Sequence, residues 1–218
     1  MIAQGQLFDG PESTWPYIIS TRMAGSSWLE SDITSTQKLQ LVEALGTQIQ
    51  YIHALPVNET LNNDTDWQQL NIKAAAQQSV LPVHLTEQVD DFVKQLTPFD
   101  KVFVNGDIVA MHVFINNGRL SGIIDWGDAV ITDRHYELGK LCLDIFPGDK
   151  KLLQVFLKAS NWPIKNNFPA QALGMALYRQ AVGLTQHHTF DVFYQLPDRF
   201  NLNQVKSLDD LAGLLFDY

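Results

Sequence analysis

Three side chains in this sequence are placed to act together. Asp107 and His112 belong to the stretch Asn105-Gly106-Asp107-Ile108-Val109-Ala110-Met111-His112. After a turn at Asn116-Asn117-Gly118, the apolar run Ile123-Ile124 delivers Asp125 and Trp126. Two aspartates at the ends of apolar strands, with an imidazole nearby, suit a site that handles phosphate.

The strands that must position these groups are written in the same residues. Asn117-Gly118 reads as the centre of a two-residue hairpin turn, because both residues tolerate positive φ. That turn sets Asn116 opposite Arg119, Ile115 opposite Leu120 and His112 opposite Ile123. Alternation then gives Val113, Ile115, Leu120, Gly122 and Ile124 one face, and His112, Ile123 and Asp125 the other. His112 and Asp125 converge at the open end of the hairpin. Asp107 lies just before it, on the loop leaving the apolar strand Val102-Phe103-Val104. Loops held by rigid strands commonly carry reactive groups.

This pattern resembles the catalytic core of the aminoglycoside phosphotransferase and choline kinase group, relatives of the protein kinases. By that resemblance Asp107 is the catalytic aspartate that orients the acceptor hydroxyl, and Asp125, in an Ile-Asp-Trp motif, chelates the nucleotide's Mg²⁺. The match continues through Gly127-Asp128-Ala129 to Asp133-Arg134-His135-Tyr136-Glu137-Leu138. Upstream, Trp15 to Gly25 is similar to the family's last N-lobe strand and hinge, where the backbone of Thr21 and Met23 would face the adenine edge. The resemblance runs from about Ile2 to Tyr218, and the central motif is its specific part. It implies Mg²⁺ or Mn²⁺ with ATP or GTP, and a small-molecule hydroxyl acceptor.

Two positions depart from the family pattern. Asn105 stands where the family has its loop His, and His112 stands where it has a metal-binding Asn. Mg²⁺ prefers hard oxygen ligands and imidazole suits softer metals, so either the metal differs or His112 acts through water or on phosphate. A similar Asp-x-x-x-x-His variant is found in members fused to cupin-like or jumonji-type domains, which makes His112 a subgroup feature. A third departure is upstream. The family needs a Gly-rich loop and a strand lysine over the phosphates, and the residues before the hinge contain neither.

The expected fold is therefore α+β: a mostly helical, kinase-like C-terminal lobe with a catalytic β-hairpin and a remnant hinge strand, its N-terminal lobe largely absent. Residues 1–25 are expected to be the remnant of N-lobe strands and hinge, and residues 26–218 the helical lobe. A cut or truncated chain is expected, with little turnover by itself and a missing N-lobe or fused domain as partner.

Composition sets further bounds. A chain of 218 residues with 45% hydrophobic and 18% charged residues can bury one large core. A net charge of -9 argues against nucleic acid or an anionic membrane as main partner. One cysteine, Cys142 in the apolar run Leu141-Cys142-Leu143, excludes an internal disulfide, fits a reducing cytoplasmic compartment and reads as core. No leading basic-then-apolar segment and no long apolar run signals secretion or membrane spanning.

Most of the remainder reads as helix. Ser35 or Thr36 can cap a helix carrying Leu41, Leu45, Ile49 and Ile52, which must stop before Pro56. Residues 58–69 read as a loop, 70–78 as a short helix, and Thr86 starts another with Val89, Phe92, Val93 and Leu96 inward. Helices are expected at 135–146, 149–160, 170–187 and from Ser207 to Leu215. Asp90-Asp91 and Asp209-Asp210 fall in first helical turns, where they favour the helix dipole. His53 is expected at the carbonyl end of its helix, and His187-His188 is read as a surface pair.

Two other functional classes fit parts of the pattern. Substituted Asn105 and His112, without an upper lobe, suit a non-catalytic kinase-like module that binds a ligand or a partner domain, its exposed apolar face promoting self-association or partner binding. A metal hydrolase built on His112, Asp107 and Asp125 is the weaker fit, for want of a second histidine pair nearby.

Overall fold

A computed structural model describes residues 2–7, 15–57, 66–146, 148–186 and 191–218. The chain is α+β, with short antiparallel sheets set among helices. Strands β1 (Ala3–Leu7) and β2 (Trp15–Ile19) pair with each other. The segment from Ser20 to Gly25 leads to the short β3 (Ser26–Ser27).

Helix α1 (Ser35–His53) starts one residue earlier than the sequence suggested. Thr34 is its cap: the Thr34 hydroxyl accepts from the Gln37 amide, and the Gln37 side chain accepts from the Thr34 amide, a reciprocal capping box. Leu41, Leu45, Ile49 and Ile52 are buried along one face, and the helix ends ahead of Pro56 as expected. Helix α2 (Ile72–Ala76) lies inside the expected 70–78 segment. The single helix expected from Thr86 is two: α3 (Val83–Thr86), which begins after Pro82, and α4 (Val89–Val93). Proline suits a helix start because its φ is preset and its missing N–H has no helical partner to lose. Asp90 and Asp91 do sit in the first turn of α4.

Strand β4 (Lys101–Val104) delivers the Asn105-Gly106-Asp107 loop, and β5 (Val113–Asn116) and β6 (Arg119–Ile123) form the hairpin. Asn117 and Gly118 both take positive φ, 51° and 73°, as the turn requires. The register departs from simple alternation. Asn116 pairs with Arg119 and Ile115 with Leu120, but Phe114 then pairs with Gly122 and Val113 with Ile123. Ser121 is the extra residue of a β-bulge. Ile123, expected on the open face beside His112, instead pairs with Val113 and joins the core. His112 remains at the open end, where its carbonyl accepts from the Ile124 amide at 2.9 Å. β3 pairs with the other edge of β5, and a strand the sequence did not disclose, β7 (Val130–Asp133), pairs with β4.

Helix α5 (Tyr136–Lys140) runs into a π-helical turn (Leu141–Ile145) that buries Cys142. Burial pushes that thiol far above its usual range, which suits a core residue and not a nucleophile. Helices α6 (Lys150–Ala159), α7 (Phe168–Gln186) and α8 (Leu208–Phe216) complete the lobe, with Asp149 and Ser207 capping α6 and α8. α7 lies among α2, α5 and α8, and its Leu173, Met175, Ala176 and Leu177 are fully buried. The sheet of β4 and β7 covers a smaller cluster of Val102, Val104, Val130, Tyr136 and Met175. Its rigidity fixes where the loop after β4 emerges. His187-His188 and residues 58–65 of the expected loop lie outside the described residues. Among the described residues no helix is long and apolar enough to cross a membrane.

Candidate active site

The site begins with a turn that only glycine makes easily. Gly106 has a φ of 82°, and a Cβ there would stand 2.5 Å from the Asp128 carbonyl oxygen. The turn lifts Asp107 out of the β4 line. Beside it Asn105, fully buried, serves three neighbours at once. Its backbone N–H donates to Glu137 Oε1 at 2.6 Å, its Nδ2 donates to the Asp125 carbonyl at 2.8 Å, and its Oδ1 accepts from the Asp107 amide at 3.0 Å. Gly106 N–H adds a bond to Glu137 Oε2 at 3.3 Å. Glu137, on α5, thus holds the loop from below. Burial pushes its carboxyl from 4.5 up to about 7, against the pull of those two backbone donors.

The Asp107 carboxylate lies among two cationic groups and an imidazole. Oδ1 is 3.3 Å from Lys140 Nζ and 3.5 Å from Arg179 Nη2, and Oδ2 is 3.4 Å from His112 Nδ1. Arg179 rises from α7, where it is buried. Its Nε donates to the Gly106 carbonyl at 3.0 Å and its Nη2 to Asp128 Oδ2 at 2.8 Å, so one guanidinium braces the loop against the segment after Asp125. At the other end of the loop, Ala110 N–H donates to Asp144 Oδ2 at 2.5 Å.

His112 closes the arrangement. Its Nδ1 lies 2.9 Å from the Asp107 carbonyl oxygen. A carbonyl can only accept, so Nδ1 carries a hydrogen and Nε2 is the nitrogen that faces Asp125, 3.6 Å from Oδ2. Asp125 has a φ of 57° and its Oδ1 accepts from the Gly127 amide at 3.3 Å. Its side chain is 58% exposed, open to a ligand. Among the described residues no group of three His, Cys, Asp or Glu side chains could hold a metal ion by itself. Asp125 Oδ2 and His112 Nε2, 3.6 Å apart, could offer an ion two donor atoms. That number fits an ion carried in by phosphates, because such ions take one or two protein ligands and complete their shell with phosphate and water.

The structure therefore brings Asp107, His112 and Asp125 together. Thr21 and Met23 lie on the connection between β2 and β3. Thr21 is exposed, and the Met23 thioether packs over Gly122 of β6, beside a cavity of about 320 Å³ that Leu120 and Trp126 also line. Trp126 itself stacks on Phe103, with ring centroids 5.9 Å apart. Sequence reasoning did not find the supporting charges Glu137, Lys140, Asp144 and Arg179. A signal existed for Arg179, which interrupts the apolar helical run Ala176-Leu177-Tyr178 and Ala181-Val182. A charge on a buried helix face needs a partner.

His53 differs from expectation. It ends α1, but its ring packs edge-on to Trp162 with centroids 5.3 Å apart, and Nε2 is buried with no hydrogen-bond partner among the described residues. Burial, reinforced by Arg134, drives its basicity from 6.5 down to about 3, so it brings no charge to the helix end.

The model of the APH group, described as the phosphotransferase enzyme family, matches residues 5–169. The chain belongs to this phosphotransferase family. An aminoglycoside 3'-phosphotransferase of Escherichia coli is 29% identical over 153 residues, which are 62% of this chain and 55% of that enzyme. The chain thus spans about half the length of this curated relative. Among solved structures, the AMP-bound spectinomycin phosphotransferase APH(9)-Ia superposes with a TM-score of 0.56 at 12% identity, covering 91% of this chain and 71% of that one. The streptomycin–ATP–APH(2")-IIa ternary complex gives 0.52 at 15% identity, covering 87% and 73%. The family match includes the whole loop and hairpin that carry Asp107, His112 and Asp125, and it ends near the start of α7. Arg179 lies beyond it.

Proposed function

We propose that this family member carries the lower half of a nucleotide-dependent phosphotransfer site acting on a small hydroxyl acceptor. The observation that supports this best is the imidazole of His112 set between two carboxylates, 3.4 Å from Asp107 Oδ2 and 3.6 Å from Asp125 Oδ2. Asp107 accepts the hydrogen of the acceptor hydroxyl, while Lys140 and Arg179 on its other oxygen fix its orientation. The hydroxyl oxygen forms the new bond to the terminal phosphorus, the bridging P–O bond breaks, and the hydroxyl proton passes to Asp107. Asp125 and His112 Nε2 would hold Mg²⁺ or Mn²⁺, which would supply charge neutralisation at the phosphates. Thr21 and Met23 lie at the base edge of the nucleotide, ATP or GTP. A relative of the same fold binds ATP with its antibiotic, as its ternary complex states. The site is read as cytoplasmic.

The direct test is a calorimetric titration with ATP and GTP in Mg²⁺ or Mn²⁺, with Asp125→Ala as control. Metal-dependent binding that the variant loses supports the reading. Binding that Asp125→Ala leaves unchanged overturns it.

A second reading, a kinase-like module that pairs with another copy of itself, draws on Ile2, Ile18 and Ile19 of the N-terminal hairpin, which are 65%, 71% and 50% exposed. Sedimentation that shows a concentration-dependent dimer, abolished by Ile18→Lys, favours it. A strictly monomeric chain removes it.

A further inference from the structure

A cavity of about 500 Å³ opens beside Lys140, in the size range that takes a small organic molecule. Its apolar walls include Leu29, Val109, Met111, Val192 and Tyr194, and its polar edge is Lys140, Asp144 and Gln195. Leu29, Met111 and Tyr194 are 67%, 60% and 59% exposed, so three large apolar side chains gather at one opening. Lys140 joins the cavity to the chemistry: it lines the wall while its Nζ stands 3.3 Å from Asp107 Oδ1.

The electrostatics of this wall decide what it can accept. Asp144 is its carboxylate among the described residues, and both oxygens are occupied, Oδ2 by the Ala110 amide at 2.5 Å and Oδ1 by Gln195 Nε2 at 3.5 Å. The cavity wall holds one charge of each sign, and both are engaged, Lys140 with Asp107 and Asp144 with the Ala110 amide and Gln195. A polycation entering it would lose hydration at several charges with Asp144 alone to answer them, and would compete with the donors that carboxylate already holds. An uncharged molecule with an apolar body has neither cost, and it would cover Met111 and Tyr194.

We infer that this cavity receives the acceptor as an uncharged amphiphilic alcohol, its hydroxyl directed past Lys140 toward Asp107 and its apolar part against Leu29, Met111 and Tyr194. The direction of the hydroxyl rests on the phosphotransfer reading above. The apolar, non-cationic preference rests on the cavity alone.

The test uses two probes on the ¹⁵N-labelled chain, octyl β-glucoside below its micelle concentration and the polycation kanamycin. Octyl glucoside is expected to shift the amides of Ala110, Met111 and Tyr194. The exposed-site variants Tyr194→Ala and Met111→Glu should each weaken its binding about tenfold without unfolding the chain. Kanamycin should leave those amides unmoved. Kanamycin binding there in preference to octyl glucoside, or neither probe shifting them, overturns the inference. Titrating the unaltered chain with each of nucleotide and glucoside separates the two ideas. Glucoside binding without metal-dependent nucleotide binding sinks the phosphotransfer reading and keeps the cavity. Nucleotide binding without glucoside binding does the reverse.

Discussion

The Asn105 side chain and the Asp125 backbone are joined by one hydrogen bond, Nδ2 to carbonyl oxygen at 2.8 Å. It ties the loop of the candidate catalytic aspartate to the residue that is the candidate metal ligand. Asp125 sits at a φ of 57°, a conformation costly for a residue with a side chain, and the bond helps to hold it there. Asn105→Ala leaves the Asp125 carbonyl and the Asp107 amide without these partners. Stability should fall by about 2–6 kcal/mol, from two polar groups at about 1–3 kcal/mol each. Chemical denaturation at neutral pH measures it, and a loss below about 0.5 kcal/mol would show that the loop holds itself without Asn105.

Arg179 braces the same loop from the helical side through the Gly106 carbonyl, Asp128 and Asp107. Arg179→Met keeps the stem and removes the guanidinium, taking that partner from the carbonyl and from Asp128 and leaving Asp107 with Lys140 and His112. The expected loss is about 3–5 kcal/mol, the scale for breaking a buried ion pair from one side. Arg179→Lys should recover little of it, because an ammonium cannot reproduce the planar fork that serves the carbonyl and the carboxylate together. Full recovery by lysine would mean that charge alone matters at this position.

What could be read in the sequence, and what could not, follows the range of the interactions. The turn at Asn117-Gly118, the cap Ser207, and the convergence of His112 with Asp125 are local, and each was legible from neighbouring residues. The bulge at Ser121 was not, because alternation assumes equal spacing and only the packing of Ile123 into the core shows the extra residue. The pairing of β7 with β4 joins residues about thirty apart, and nothing local requires it. Asn105 read as a substitution, whereas its three hydrogen bonds show a positioning residue. Two of those partners, Glu137 and Asp125, lie far along the chain.

The proposed place of His112 at the metal predicts a preference that can be measured. Its Nδ1–H is engaged by the Asp107 carbonyl, so Nε2 is the nitrogen beside Asp125. Imidazole suits Mn²⁺ better than Mg²⁺, which favours oxygen. Mn²⁺ with ATP is therefore expected to bind about tenfold more tightly than Mg²⁺ with ATP, and His112→Asn should bring the two within about threefold. Loss of the free Mn²⁺ resonance signal on titration gives the first affinity, and calorimetry gives the second. Equal affinities in the unaltered chain would place His112 off the metal.

Two buried groups pull the stability in opposite directions with pH. Burial raises the Glu137 carboxyl from 4.5 to about 7, so its contribution is complete below pH 4.5 and is lost as pH rises through 7. Burial, then Arg134, lowers His53 from 6.5 to about 3, so its contribution is complete above pH 6.5 and is lost as pH falls toward 3. Between pH 4.5 and 6.5 the two slopes, each about 1.4 kcal/mol per pH unit, offset one another. Single variants expose them. Relative to the unaltered chain, Glu137→Gln should gain stability as pH rises across this window, and His53→Leu should gain it as pH falls. Urea midpoints taken at several pH values resolve both slopes. If the Glu137→Gln difference does not change with pH, the carboxyl is already ionised at pH 5, and its bonds from Asn105 and Gly106 outweigh its burial.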